Sequence, residues 1–85
     1  MINKNTKYII CIKSYYEKDF VKNNIYKVEI ENFSYTTFIK IYDEKNEVLF
    51  FDINSIFNKV IMPVYFKIYP IQKLRRDKIQ KLNLL

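Results

Sequence analysis

The stretch Asn23–Phe51, NNIYKVEIENFSYTTFIKIYDEKNEVLFF, decides the fold. In it Tyr26, Val28 and Ile30 alternate with Lys27, Glu29 and Glu31, the period of two expected of a strand with one buried face. After a turn at NFSY the alternation resumes, with Thr37, Ile39 and Ile41 opposing Phe38, Lys40 and Tyr42. DEKNE then supplies a polar hairpin connection, and Val48–Phe51 forms the returning strand. Three such runs in hairpin order predict an antiparallel sheet.

Working outward, KYIICIK (Lys7–Lys13) is β-branched and aromatic, too short for a stable helix, and predicts a buried strand. A polar loop studded with aromatics, SYYEKDFVKNN, joins it to the first alternating run. After Asp52 the period of two is lost, and DINSIFNKV predicts one short helical turn capped by Asp52 or Asn54 and ended by Pro63. VYFKIY then predicts a fifth strand with Val64, Phe66 and Ile68 inward and Tyr65, Lys67 and Tyr69 outward. The expected fold is mainly β: a small five-stranded antiparallel barrel over residues 1–69, closed or partly closed, with one helical turn before the last strand. Residues 70–85, PIQKLRRDKIQKLNLL, drop the aromatics for good helix formers and predict a basic C-terminal helix. Its apolar stripe of Ile71, Leu74, Ile79, Leu82 and Leu85 is interrupted by Arg75 and Lys78.

The chain has no glycine, and 51 of its 85 residues are Ile, Lys, Asn, Tyr or Phe. These residues have AT-rich codons, so much of the composition reflects the genome. Tight turns still need a residue with positive φ, and asparagine tolerates that region best after glycine. Asn23 or Asn24, and Asn46, are therefore expected to stand there.

Composition also limits function. A chain of 85 residues forms one domain, and with 49% hydrophobic and 18% aromatic residues it has enough apolar surface for a core. No apolar run approaches the length of a membrane span, and the N-terminus lacks a secretory pattern, so a cytoplasmic protein is expected. The single Cys11, between Ile10 and Ile12, predicts a packed strand thiol. Without histidine or a glycine-rich loop, the usual general base, zinc site and phosphate loop are missing. Asp43, Glu44 and Glu47 fall in a hairpin turn, where solvated charges are expected. No enzyme activity, cofactor or metal is predicted.

The order of segments resembles a group of small Src-homology-3-like barrel proteins common in phages and other mobile elements. The matching pieces are Cys11-Ile12-Lys13, Phe20-Val21-Lys22-Asn23-Asn24-Ile25-Tyr26, Asp43-Glu44-Lys45-Asn46, Phe50-Phe51 and Tyr65-Phe66, over residues 7 to 69. Asn23 and Asn46 stand where that pattern carries glycine. The resemblance implies a non-enzymatic binding protein, and in a phage setting an inhibitor of a bacterial defence system, for instance one that occludes a CRISPR effector. The implied partner is a host bacterial protein or ribonucleoprotein.

Two sets of residues are candidates for contact. Tyr15, Tyr16, Phe33, Tyr35, Tyr65 and Tyr69 have no clear inward phase, and aromatics are enriched at interface cores, although some of the six are expected to cap the barrel's open ends. They suit a protein partner or a homodimer. Lys73, Arg75, Arg76, Lys78 and Lys81 concentrate the basic excess: residues 70–85 carry a net charge of +4 against +2 for residues 1–69. They suit RNA, DNA or an acidic partner. A membrane surface is not expected, because Arg75 and Lys78 break the apolar stripe.

Overall fold

A computed structural model of the protein describes residues 1–15, 17–70 and 72. Six strands are present: β1 (Tyr8–Cys11), β2 (Ile25–Lys27), β3 (Glu29–Asn32), β4 (Thr37–Tyr42), β5 (Val48–Asp52) and β6 (Phe66–Tyr69). They form two three-stranded antiparallel sheets, ordered β2-β1-β6 and β3-β4-β5. Between β5 and β6 run a π-helical turn, Phe57–Ile61, and a single turn of α-helix, α1 (Met62–Tyr65).

The architecture is mainly β, as the alternation predicts. Six short strands stand where five were expected, and of the closed or partly closed barrel no closed form is found, since no ladder joins the two sheets into a ring among the described residues. The run IYKVEIE divides at Val28, so that its first half pairs with β1 and its second with β4. Val28 is buried, and its N–H donates to the Lys7 carbonyl at 2.9 Å. The chain thus changes sheets without stranding a polar group. A period of two tells which side a residue faces; it does not tell which strand its backbone pairs with.

Central strand β4 lies between β3 and β5 and buries Ile39 and Ile41 completely, as its alternation predicts. Burying each such side chain contributes about 1.5–3 kcal/mol. Both sheets contribute to one core, in which Ile9, Phe20, Tyr26, Phe51, Met62 and Phe66 join those two isoleucines. Phe20 is the hinge of its aromatic part, standing edge-on to Tyr26 at 4.9 Å and to Phe66 at 5.0 Å. Cys11 is fully buried, with its thiol donating to the Lys13 carbonyl at 3.2 Å, and burial pushes its pKa up. It is a packed thiol.

The left-handed turn positions are Asn23 (φ 74°) and Asn46 (φ 63°). Asparagine thus takes the positive-φ positions in this glycine-free chain, as expected.

Residues 52–69 depart from expectation. The helical segment has Ile56 as its cap, with no side-chain bond, and Asp52 shapes the preceding turn instead. There the Asp52 carboxylate accepts the Asn54 N–H at 2.8 Å, and its carbonyl accepts the Ser55 N–H at 3.0 Å. Pro63 does not end the helical region; it sits in the first turn of α1, where a missing N–H leaves no bond unmade. The last strand consequently begins at Phe66. Val64 is helical and exposed, Ile68 is exposed, and Tyr69 is buried with Phe66. The inward phase predicted for Val64 and Ile68 is therefore corrected. β6 is an edge strand pairing with β1 alone, so alternation is not enforced from both sides. The helix expected over residues 70–85 lies outside the described residues, apart from Pro70 and Gln72.

Candidate functional site

Three regions gather polar or aromatic side chains. At the first, hairpin 43–47 meets loop 14–21, and Asp43 is buried there, not solvated. Its carboxylate accepts the N–H groups of Asp19 (2.9 Å), Lys45 (2.9 Å) and Glu47 (2.8 Å). Burial pushes this carboxyl up, but those bonds and the nearby Lys18 charge outweigh it and hold it below the usual carboxylate range. Glu44 accepts the Tyr26 hydroxyl at 2.6 Å and the Asn24 amide at 3.0 Å. The same hydroxyl accepts the Val21 N–H at 2.8 Å. Burial, then the Glu44 carboxylate, raise the Tyr26 pKa well above its ordinary value. Asp43 is thus a structural clamp that fixes loop 14–21 against the hairpin through Asp19, while Glu44 ties the hairpin to Asn24 and Tyr26.

The second region is the outer face of β3-β4-β5. Register opposes Lys40 to Glu29 and Phe50, Phe38 to Glu31 and Asp52, and Tyr42 to Val48. Phe38 and Phe50 stack at 4.7 Å with ring planes 17° apart, and Phe33 meets Phe38 edge-on at 5.6 Å. Lys40 lies over the Phe50 ring at 5.9 Å and pairs with Glu31 at 2.6 Å, which raises its pKa. Phe33, Tyr42, Val48 and Phe50 are each 37–49% exposed. An aromatic centre is thereby framed by Glu29, Glu31 and Asp52 against a single Lys40. Such a face is apolar in the middle and acidic at the margin.

The third region is a cleft of about 540 Å³ at the opposite end of β4 from hairpin 43–47. Phe33, Ser34 and Tyr35 of the β3–β4 turn form one wall, and Lys4, Asn54 and Lys59 contribute to the other. The turn itself is closed by one backbone bond, Phe33 N–H to the Thr36 carbonyl at 2.8 Å. Asn58, completely buried on the π-helical turn, assembles the other wall. Its amide accepts the Ile2 N–H at 2.9 Å and donates to the carbonyls of Ile2 (2.8 Å) and Ile53 (2.7 Å). These bonds fix the N-terminal segment beside the 53–54 turn and set Lys59 next to both. Lys4 is carried on a turn closed by Thr6 N–H to the Asn3 carbonyl at 3.1 Å. No ion pair engages Lys4 or Lys59 among the described residues.

The structure divides the aromatic set singled out from sequence. Tyr15 is buried, 4.8 Å from Tyr65 and 6.3 Å from Phe57, and donates its hydroxyl to Glu17 at 2.7 Å. Tyr69 is buried as well, and the half-buried Tyr65 lies under the Lys13 ammonium at 5.7 Å. These three rings face inward as packing. Phe33 and Tyr35 are exposed, Tyr35 at 84%, and share the cleft. Tyr16 and the tail residues Lys73, Arg75, Arg76, Lys78 and Lys81 lie outside the described residues. Sequence reasoning passed over Phe50, Lys4, Lys59 and Asn58. Phe50 was findable, because pairing β4 with β5 puts it beside the outward Lys40.

Among the described residues no group of three His, Cys, Asp or Glu side chains gathers to hold a metal ion, and no helix is long and apolar enough to cross a membrane. No protein-family model, no curated protein and no solved structure matches this chain. The two surfaces therefore carry the functional reading.

Proposed function

We propose that the protein is a non-enzymatic docking protein, engaging a protein or the protein part of a ribonucleoprotein through the outer face of β3-β4-β5. The carrying observation is the ring row Phe33–Phe38–Phe50, with Phe33 and Phe50 exposed and Phe38 half-buried between them, on a sheet whose other face is the core. Aromatic rings fixed by their neighbours offer contact area at little entropic cost, which suits an interface centre. The acidic margin selects a partner with apolar and basic side chains, and it opposes nucleic acid on this face. Two small sheets joined at Val28 are compatible with a partly open Src-homology-3-like barrel. The phage-type resemblance supplies the setting: inhibition of a bacterial defence protein, such as a CRISPR effector, in the host cytoplasm.

The experiment expresses the tagged wild-type chain and Phe50→Glu in a bacterial host carrying an active defence system, and reads both the captured partner and phage plating. Wild type is expected to capture one dominant partner and to restore plating. Phe50→Glu is expected to lose both while keeping the wild-type melting temperature within a few degrees. Equal capture by the two chains would overturn the assignment of this face; restored plating with no captured protein would overturn docking as the mode of action.

A further inference from the structure

The cleft beside the β3–β4 turn differs in chemistry from the sheet face, and we infer that it is a binding subsite for single-stranded nucleic acid. Its volume of about 540 Å³ lies within the ~300–1,000 Å³ typical of small-ligand clefts. Among the described residues its lining holds Lys4 and Lys59 and no carboxylate. Asp52, bonded to the lining residues Thr36 and Asn54, has one carboxylate oxygen accepting the Thr36 hydroxyl (2.9 Å) and the other the Asn54 N–H (2.8 Å). Both oxygens are engaged by the wall, and two ammonium groups outnumber that one charge.

Charge alone would suit any anion; the aromatics narrow the choice. Tyr35 is 84% exposed, with no hydrogen bond to its hydroxyl among the described residues, and Phe33 stands beside it at 49%. Exposed rings next to cations are the means by which proteins hold single strands, with bases on the rings and phosphates on the lysines. An acidic peptide would leave the rings without a π-faced partner. A duplex keeps its bases stacked inside and has no face to give Tyr35. The site is built in advance, since Asn58 fixes Ile2 and Ile53 on either side of it. Ser34 and Asn54 add polar side chains at the rim.

This subsite shares Phe33 with the docking face but not Tyr35, Lys4 or Lys59, and it is tested on the purified full chain with no protein partner, so either reading can fail alone. A fluorescein-labelled single strand of about 12 nucleotides, within the span small barrels occupy, is titrated by anisotropy as RNA and as DNA over a salt series. Wild type is expected to bind at low salt, and Tyr35→Ala to weaken binding about tenfold with Tyr35→Phe restoring it. The double variant Lys4→Gln/Lys59→Gln is expected to lower the slope of log affinity against log salt by roughly 1.4. No binding by wild type at low salt would overturn the proposal. So would equal affinity for a duplex, full competition by polyglutamate, or binding unchanged in Tyr35→Ala and the lysine double variant; the last result would move the contact to another part of the chain, such as Arg75 and Arg76.

Discussion

The two turns at the ends of β4 are built from similar residues and end up as opposites. At hairpin 43–47, Asp43 accepts the Asp19 N–H of loop 14–21, Glu44 accepts the Asn24 amide and the Tyr26 hydroxyl just beyond that loop, and Tyr15 and Phe20 of the loop are buried. At turn 33–36, Phe33 and Tyr35 remain in solvent, and the cations nearby are Lys4 and Lys59, which form no ion pair among the described residues. The difference is the supply of acceptors. Where carboxylates can bind a loop's backbone N–H groups, the loop folds down and takes its rings into the core. At turn 33–36 the Asp52 carboxylate takes the Thr36 hydroxyl and, among the described residues, no backbone N–H of the turn, so the backbone gains no such clamp and the rings stay available to something else.

The largest expected effect comes from removing what assembles the exposed end. Asn58→Ala leaves the Ile2 N–H and the carbonyls of Ile2 and Ile53 without their partner, at a cost of roughly 3–5 kcal/mol in urea unfolding. A loss under about 1 kcal/mol would show that water replaces the side chain and that the cleft is not held by it.

Asp43→Ala should cost about 2–4 kcal/mol at neutral pH, because three N–H groups lose a charged acceptor. The pH dependence follows from the lowered pKa of Asp43. A carboxyl depressed in the folded state stabilises above its unfolded value, about 3.9, and loses that contribution as pH falls through the folded value. Wild type should therefore lose stability below about pH 4 more steeply than Asp43→Ala, as followed by thermal melts across acid pH. Parallel acid profiles would remove Asp43 as the clamp.

The sharpest comparison makes one chemical change at both ends. Tyr26→Phe removes a hydroxyl that accepts the Val21 N–H and donates to Glu44, and should cost about 1–2 kcal/mol. Tyr35→Phe removes one with no bond among the described residues, and should stay within about 0.5 kcal/mol. Equal losses would erase the contrast between the turns.

What the sequence made legible was local. The alternation of residues 37–42 placed Ile39 and Ile41 inward and Phe38 outward, and the missing glycines led to Asn23 and Asn46 with positive φ. Non-local facts stayed hidden. The crossing at Val28 depends on which strand each half of one run pairs with, and the burial of Asp43 depends on a loop 24 residues away from its N–H acceptor site. Asn58 was concealed for a different reason: in a chain with nine asparagines, a keystone amide looks like codon bias. Of the candidate aromatics, Phe33 and Tyr35 kept an exposed place, whereas Tyr15 and Tyr69 were drawn inward by neighbours that no periodicity specifies.

The bond between Ile2 and Asn58 spans 56 residues, and β1 pairs with β6 at the far end of the described chain. Closing loops of that length precedes any reward from the contacts they bring together, so folding should be slow for so small a domain. During synthesis the first strand has only β2 to pair with until residue 58, and then β6, has left the ribosome. The amide of Asn58 is thus a latch that sets late, and its loss should mainly speed unfolding while leaving the folding rate close to unchanged.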